Sequence, residues 1–183
     1  MKPLKNLLLG LAVLLLAGCS TTIQSSADIE TLDAQAKWAL LPLANNTDTP
    51  QAALSAEAML EHQLRRRGIN TLQHYPALLS RDSLFEPTER KISDDAQKWA
   101  REQGARFAVT GSVEEWRYKT GIDGEPAAGV TLKVIDLSND RVVWSGSGAK
   151  SGWSREALSG VAQTLFEKLL TTLPLANGKV IVP

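Results

Sequence analysis

Cys19 is the only cysteine in the chain, and it stands directly behind a short apolar run. No internal disulfide can brace the fold, and a zinc site would have only His62 and His74 to draw on. Neither histidine has another histidine or cysteine at metal-ligand spacing, so no metal is expected; both read as solvated or locally hydrogen-bonded side chains. A chain without such staples must hold itself together by a buried core. At 183 residues and 43% hydrophobic, the material suffices for one domain of ordinary size. Twenty basic residues balance 20 acidic ones, which leaves no electrostatic footprint for a nucleic-acid partner. Lys2 and Lys5 precede the run Leu7–Ala17, a charged segment and a short apolar one in the pattern of a secretory signal. The run is too short for a spanning helix, which needs about 20 apolar residues.

The run ends in Leu16-Ala17-Gly18-Cys19, which resembles the bacterial lipobox. Residues 1–18 are then a lipoprotein signal peptide, and Cys19 is the lipidated first residue of the mature chain. That covalent lipid is the only non-protein group expected, with no cofactor besides. Tight anchoring takes more than one acyl chain, and lipoproteins of this type carry a diglyceride and usually a third acyl group. Ser20, in a place where Asp resembles an inner-membrane retention signal, favours the outer membrane. Residues 19–36 are read as the lipidated cysteine and a flexible tether, because they are rich in Ser, Thr, Gln and Asp. About 17 flexible residues span roughly 20–25 Å. Residues 37–183 form the domain.

Within that domain, Lys37–Leu43 reads as a buried strand and Thr49-Pro50 as a helix start with an N-cap hydroxyl. Ala53, Ala56, Leu60 and Leu64 give that helix one apolar stripe, and Gly68 stops it. Ile69–Tyr75 is a second strand, with one helical turn near Ala77–Leu79 beyond it. Asp94–Gln103 is a helix, Arg106–Tyr118 a long strand, and Gly129–Leu137 an alternating one. A short turn leads to Arg141–Ser147 as the second arm of a hairpin. Ser154 caps a last helix over Arg155–Thr172 with the stripe Leu158, Val161, Leu165, Leu169, and Val180–Val182 adds an edge strand. The order predicts a single-domain α/β sandwich with a mixed, partly antiparallel sheet.

Catalytic motifs are missing. Trp144–Ser151 fails as a phosphate loop because Trp144 and Ala149 occupy the glycine positions, and Ser151 spoils a dinucleotide fingerprint. The segment is then a flexible strand-to-helix loop. No Gly-x-Ser-x-Gly elbow exists. Arg65-Arg66-Arg67 lies in the last turn of a helix, where cations complement the dipole; a partner or phospholipid contact is the other reading. Glu114, Glu115, Asp123 and Glu125 gather along one strand and its following loop. In a monomer they are a solvated acidic hairpin end, whereas repeated around a ring they sum to a negative field for a cationic ligand. Trp38, Trp116 and Trp144 read as core or sheet-face residues. Trp153 sits in a loop between Gly152 and Ser154 with no apolar neighbours. It packs back on its own domain, lies at a membrane interface, or fills a pocket on a neighbouring subunit.

Two sets of segments carry a family resemblance. Trp38-Ala-Leu-Leu-Pro-Leu-Ala-Asn-Asn-Thr-Asp-Thr-Pro50 resembles the opening strand, loop and helix start of lipoproteins with a fold like the TolB N-terminal domain. Gly111–Tyr118, Gly124-Glu-Pro126 and Gly152-Trp-Ser-Arg-Glu-Ala-Leu158 are similar to the PelC family, outer-membrane lipoproteins of Pel exopolysaccharide export. The likeness covers most of residues 37–173. It implies a non-enzymatic homo-oligomeric ring on the periplasmic face of the outer membrane. The ring would sit around or beneath a β-barrel polysaccharide exporter and funnel a cationic amino-sugar polymer toward it. Asp123, Glu125, Glu114 and Glu115 would line the funnel, and Trp153 with Arg155 would meet the membrane or a neighbouring subunit. The family brings no catalytic residue. The alternative is an LpoB-like activator of a peptidoglycan synthase on the same fold, which the short tether disfavours. Curli-secretion lipoproteins share the fold but need membrane-spanning strands that this chain has no room for.

Overall fold

Alternating strands and two apolar helix stripes determine how the layers stack. The computed structural model describes residues 21–28, 31–76, 89–120 and 124–176. Among these the order is β1 (Thr21–Ala27), β2 (Leu32–Asp33), β3 (Trp38–Asn45), α1 (Ala52–Arg66), β4 (Leu72–His74) and α2 (Glu89–Glu102). Then follow β5 (Phe107–Tyr118), β6 (Pro126–Asp136), β7 (Arg141–Ser151), α3 (Leu158–Leu170) and β8 (Leu175–Ala176). Six strands form one sheet in the order β1-β7-β6-β5-β3-β4, and β2 pairs with β8 separately. Strand β3 runs parallel to β4 and β5, while β5, β6, β7 and β1 are successively antiparallel. This is the mixed α/β architecture expected.

One face of the sheet carries the main core. Ala53, Ala56, Leu60 and Leu64 of α1 and Val161, Leu165 and Leu169 of α3 are buried there with Trp38, Val109, Leu132, Val134 and Trp144. Each such large side chain contributes about 1.5–3 kcal/mol on burial. On the other face α2 covers one end only, placing Ala96 and Ala100 against Ala39, Leu41, Ala108 and Ile135. Much of the rest of that face is polar: Ser145 and Ser147 of β7 bond Ser26 of β1 and Thr131 of β6 through their hydroxyls.

Pro42 lies inside a central strand, a position proline normally avoids. A register shift between Leu40 and Leu43 accommodates it. The displaced groups find partners from the side: the Thr110 hydroxyl donates to the Pro42 carbonyl at 2.9 Å, and the Leu43 amide donates to the Glu57 carboxylate at 2.8 Å.

Several local expectations are corrected. Thr21–Ala27, expected as part of a flexible tether, is an edge strand paired residue by residue with β7 from Thr21↔Lys150 to Ala27↔Trp144. Its Ser/Thr/Gln composition reflects an edge strand with little to bury. Leu32 and Asp33, also assigned to the tether, pair with Leu175 and Ala176. The glycine-rich end of β7 is strand rather than loop. A Cβ on Gly146 would stand 2.7 Å from the Trp144 ring and 2.9 Å from Leu169, so these glycines let α3 sit close on the sheet. Thr49 does not cap α1: its hydroxyl donates to the Trp116 carbonyl, and Gln51 takes the cap position in a left-handed conformation. Helix α2 starts earlier than expected, at Glu89. Helix α3 starts at Leu158 instead of Arg155, whose φ of 73° is not helical. The turn expected near Ala77–Leu79 and the edge strand over Val180–Val182 lie outside the described residues.

Candidate functional site

The acidic group is built on strand β5. Glu114 occupies a bulge between Val113 and Glu115, which takes it out of the pairing with β6. Its carboxylate accepts from the Ser112 hydroxyl and from Asn46 Nδ2 at 3.1 Å. Those two bonds, Ser112 first, lower its pKa against the opposing effect of burial. Glu115 is ion-paired to Arg117 Nε at 3.0 Å. Glu114 and Glu115 line a groove of about 650 Å³ on the open side of the sheet together with Asn46, Asp48 and Gln24. Glu125 does not line that groove. It closes the β5–β6 hairpin, its carbonyl accepting from the Lys119 amide at 2.7 Å and its carboxylate lying 3.8 Å from Lys119 Nζ. The structure therefore brings Glu114 and Glu115 together and sets Glu125 apart, each of the last two beside a cation of its own hairpin. Asp123 lies outside the described residues, as does Cys19.

Asn46 and Asp48 are groove residues that the sequence offered only as loop chemistry. Their signal was the Asn-Asn-Thr-Asp run after the first buried strand, which the register of β3 with β5 places beside Val113 and Glu114.

A second feature forms at the end of the sheet where β1 begins and β7 ends. Trp153 projects there with 52% of its surface exposed. Arg155 is exposed beside it and has a left-handed backbone. Tyr118, at the end of β5, is also exposed, and its hydroxyl accepts from the Leu158 amide at 3.0 Å. Glu156 was missed from the sequence. It stands three residues after Trp153, the spacing at which a glutamate side chain reaches back to a backbone amide.

The arginine triplet serves the fold. Arg65 bonds Glu61 at 2.8 Å and the Leu72 carbonyl at 2.9 Å, and Arg66 reaches Glu167 at 3.4 Å. Arg67 is buried and donates to the Leu173 carbonyl at 2.9 Å, tying the C-terminal ends of α1 and α3 together; burial lowers its pKa. His74 is locally bonded as expected, held between Glu57 at 3.1 Å and Glu61 at 3.2 Å. Among the described residues no group of His, Cys, Asp and Glu is arranged to hold a metal ion.

No family model matches the chain, and no curated protein matches it. Solved structures do. A PelC dodecamer from Paraburkholderia phytofirmans is 41% identical, with a TM-score of 0.72, covering 86% of this chain and 99% of that one. A point variant of the same dodecamer is 42% identical, with a TM-score of 0.73 and coverage of 86% and 100%. A lipoprotein from Neisseria meningitidis shares the fold at 16% identity, with a TM-score of 0.55 over 74% of this chain and 96% of that one. At 41–42% identity over 86% of this chain and almost all of those structures, the chain belongs to the PelC family.

Proposed function

We propose that the chain assembles into a ring on the periplasmic face of the outer membrane and guides a cationic exopolysaccharide to a β-barrel exporter. It is a non-enzymatic, lipid-anchored lipoprotein of Pel exopolysaccharide export. The observation that carries the ring is the 41–42% identity to PelC dodecamers over nearly their whole length.

Electrostatics supports an acidic lining but divides the labour within it. Glu115 and Glu125 each face a nearby cation, whereas Glu114 is held only by neutral donors among the described residues. Charges separated by more than about 8 Å are screened at physiological salt, so one copy exerts little pull on a polymer. Copies repeated around a narrow lumen bring their carboxylates within each other's range, and the field there guides cations.

The sheet supports a membrane orientation. Cys19 stands two positions before Thr21, so the chain between them can span at most about 7 Å from Cα to Cα. Thr21 pairs with Lys150, three residues before Trp153. The lipid and the exposed indole therefore belong to one end of the domain, with Arg155 beside them. Trp is enriched at membrane–water interfaces, where its apolar body and polar N–H are both accommodated.

Light scattering on the lipidated protein in detergent tests the ring: a discrete high-order mass is expected, and a monomer at every concentration overturns it. Asp123→Asn combined with Glu125→Gln is expected to impair polymer export while leaving the fold intact. Normal export by that double variant removes those two carboxylates from the funnel.

A further inference from the structure

The loop that carries Trp153 is closed by its own hydrogen bonds. The Trp153 amide donates to Glu156 Oε2 at 2.7 Å, and the Glu156 amide donates back to the Trp153 carbonyl at 3.0 Å. The Gly152 amide donates to the Pro126 carbonyl at 2.8 Å, fixing the near side to β6. The Leu158 amide donates to the Tyr118 hydroxyl, fixing the far side to β5. Within the turn Arg155 adopts φ 73°, a conformation uncommon for a residue with a side chain. The Glu156 carboxylate is packed so tightly against Gly152 that a Cβ there would stand 2.3 Å from it and 2.5 Å from Val161.

A large apolar side chain that emerges from a firmly bonded turn is unusual. Flexible loops tend to fold such residues back onto the domain, which removes apolar surface from water. Here the bonds fix the backbone from which the exposed indole projects. A group ordered before it binds does not lose that freedom on binding, which strengthens the contact without any new interaction.

We infer that Glu156 is the positioning residue for Trp153, setting the indole outward so that it enters a lipid surface already shaped for insertion. The inference rests on the reading of Trp153 as a membrane contact. Glu156 itself touches no lipid: it acts through the Trp153 amide. Arg155, exposed two residues on in the same turn, adds a cation for the anionic headgroups of that surface.

The test uses the full lipidated protein in vesicles of phosphatidylethanolamine and phosphatidylglycerol with brominated acyl chains. Tryptophan quenching reports insertion, and hydrogen exchange at the Trp153 amide reports the lock independently of the membrane. Trp153→Phe is expected to abolish the quenching component that wild type shows, because Trp38, Trp116 and Trp144 are buried in the core and Trp99 is half-buried edge-on against Tyr75 under α2. Glu156→Ala is expected to speed amide exchange at Trp153 about tenfold, the loss of one charge-assisted bond, and to reduce quenching with it. Glu156→Gln keeps an acceptor oxygen at the same place and is expected to restore both. If Trp153→Phe quenches like wild type, the membrane reading of Trp153 falls and the inference falls with it. If Trp153→Phe loses quenching while Glu156→Ala matches wild type in both readouts, Glu156 does not position the indole, and the membrane reading stands.

Discussion

The two faces of the six-stranded sheet are made by the same strands and have opposite characters. On one, Trp144, Gly146 and Gly148 alternate inward under the apolar stripe of α3, while that of α1 covers β3 and β5. On the other, the intervening residues Ser145, Ser147 and Ala149 face outward and continue across Thr131 and the strand β1 residues Thr22, Gln24 and Ser26. Period-two alternation makes this possible, since a strand can commit one side to the core and leave the other to solvent or a partner. The covered face specifies the fold. The open face, with the acidic groove at one end, is free to vary without endangering it.

The largest break in that comparison is expected from the covered face. Trp144→Ala removes a fully buried indole together with its bond to the Thr172 carbonyl, a loss of about 3–5 kcal/mol measured by denaturant unfolding. Glu57→Ala comes next. It strips the Leu43 amide at the β3 irregularity of its acceptor and also frees His74, at a cost of about 1–3 kcal/mol. At the other extreme, Ser147→Ala on the open face loses a hydroxyl contact with Thr131 and a long one to the Val130 carbonyl, and is expected to change stability by less than about 0.5 kcal/mol.

Between these lies a pH dependence with two arms. The Glu57 carboxylate, helped by Glu61, raises the His74 pKa above 6.5 against the opposing effect of burial. A raised folded-state value means that this stabilisation is complete below pH about 6.5 and is lost as pH climbs through the folded value. Thermal unfolding from pH 6 to 9 is expected to show that decline, and His74→Gln is expected to flatten it. On the acid side, burial pushes the Asp136 carboxyl up, but bonds from Arg106 and Ser138 outweigh it and hold the pKa at about 2. That contribution is present above the unfolded value and fades as pH falls toward 2, and Asp136→Asn is expected to remove this arm.

The legible parts of the fold were those with a strong period. The stripes Ala53, Ala56, Leu60, Leu64 and Val161, Leu165, Leu169 are buried as their spacing indicates, and the β5–β6–β7 succession followed from alternation and turns. What escaped was set by tertiary contact. Gly146 and Gly148 look like loop residues in sequence because their purpose, admitting α3, is visible only in space. Strand β1 has no apolar stripe beyond Ile23, and nothing local separates it from a linker. Thr49 has the chemistry of a cap but spends its hydroxyl on Trp116. At the candidate sites, Trp153 stood out because it lacked apolar neighbours, whereas Glu156 and Asn46 gained meaning only from the atoms they touch.

With the anchor on Cys19 as proposed, the start of β1 two positions later leaves the domain almost no slack. In the proposed orientation, Trp153 then meets the membrane at a high effective concentration, so even a weak insertion is well populated. Copies held this way share one height and one tilt. Their encounters become a search in two dimensions, between edges already facing each other.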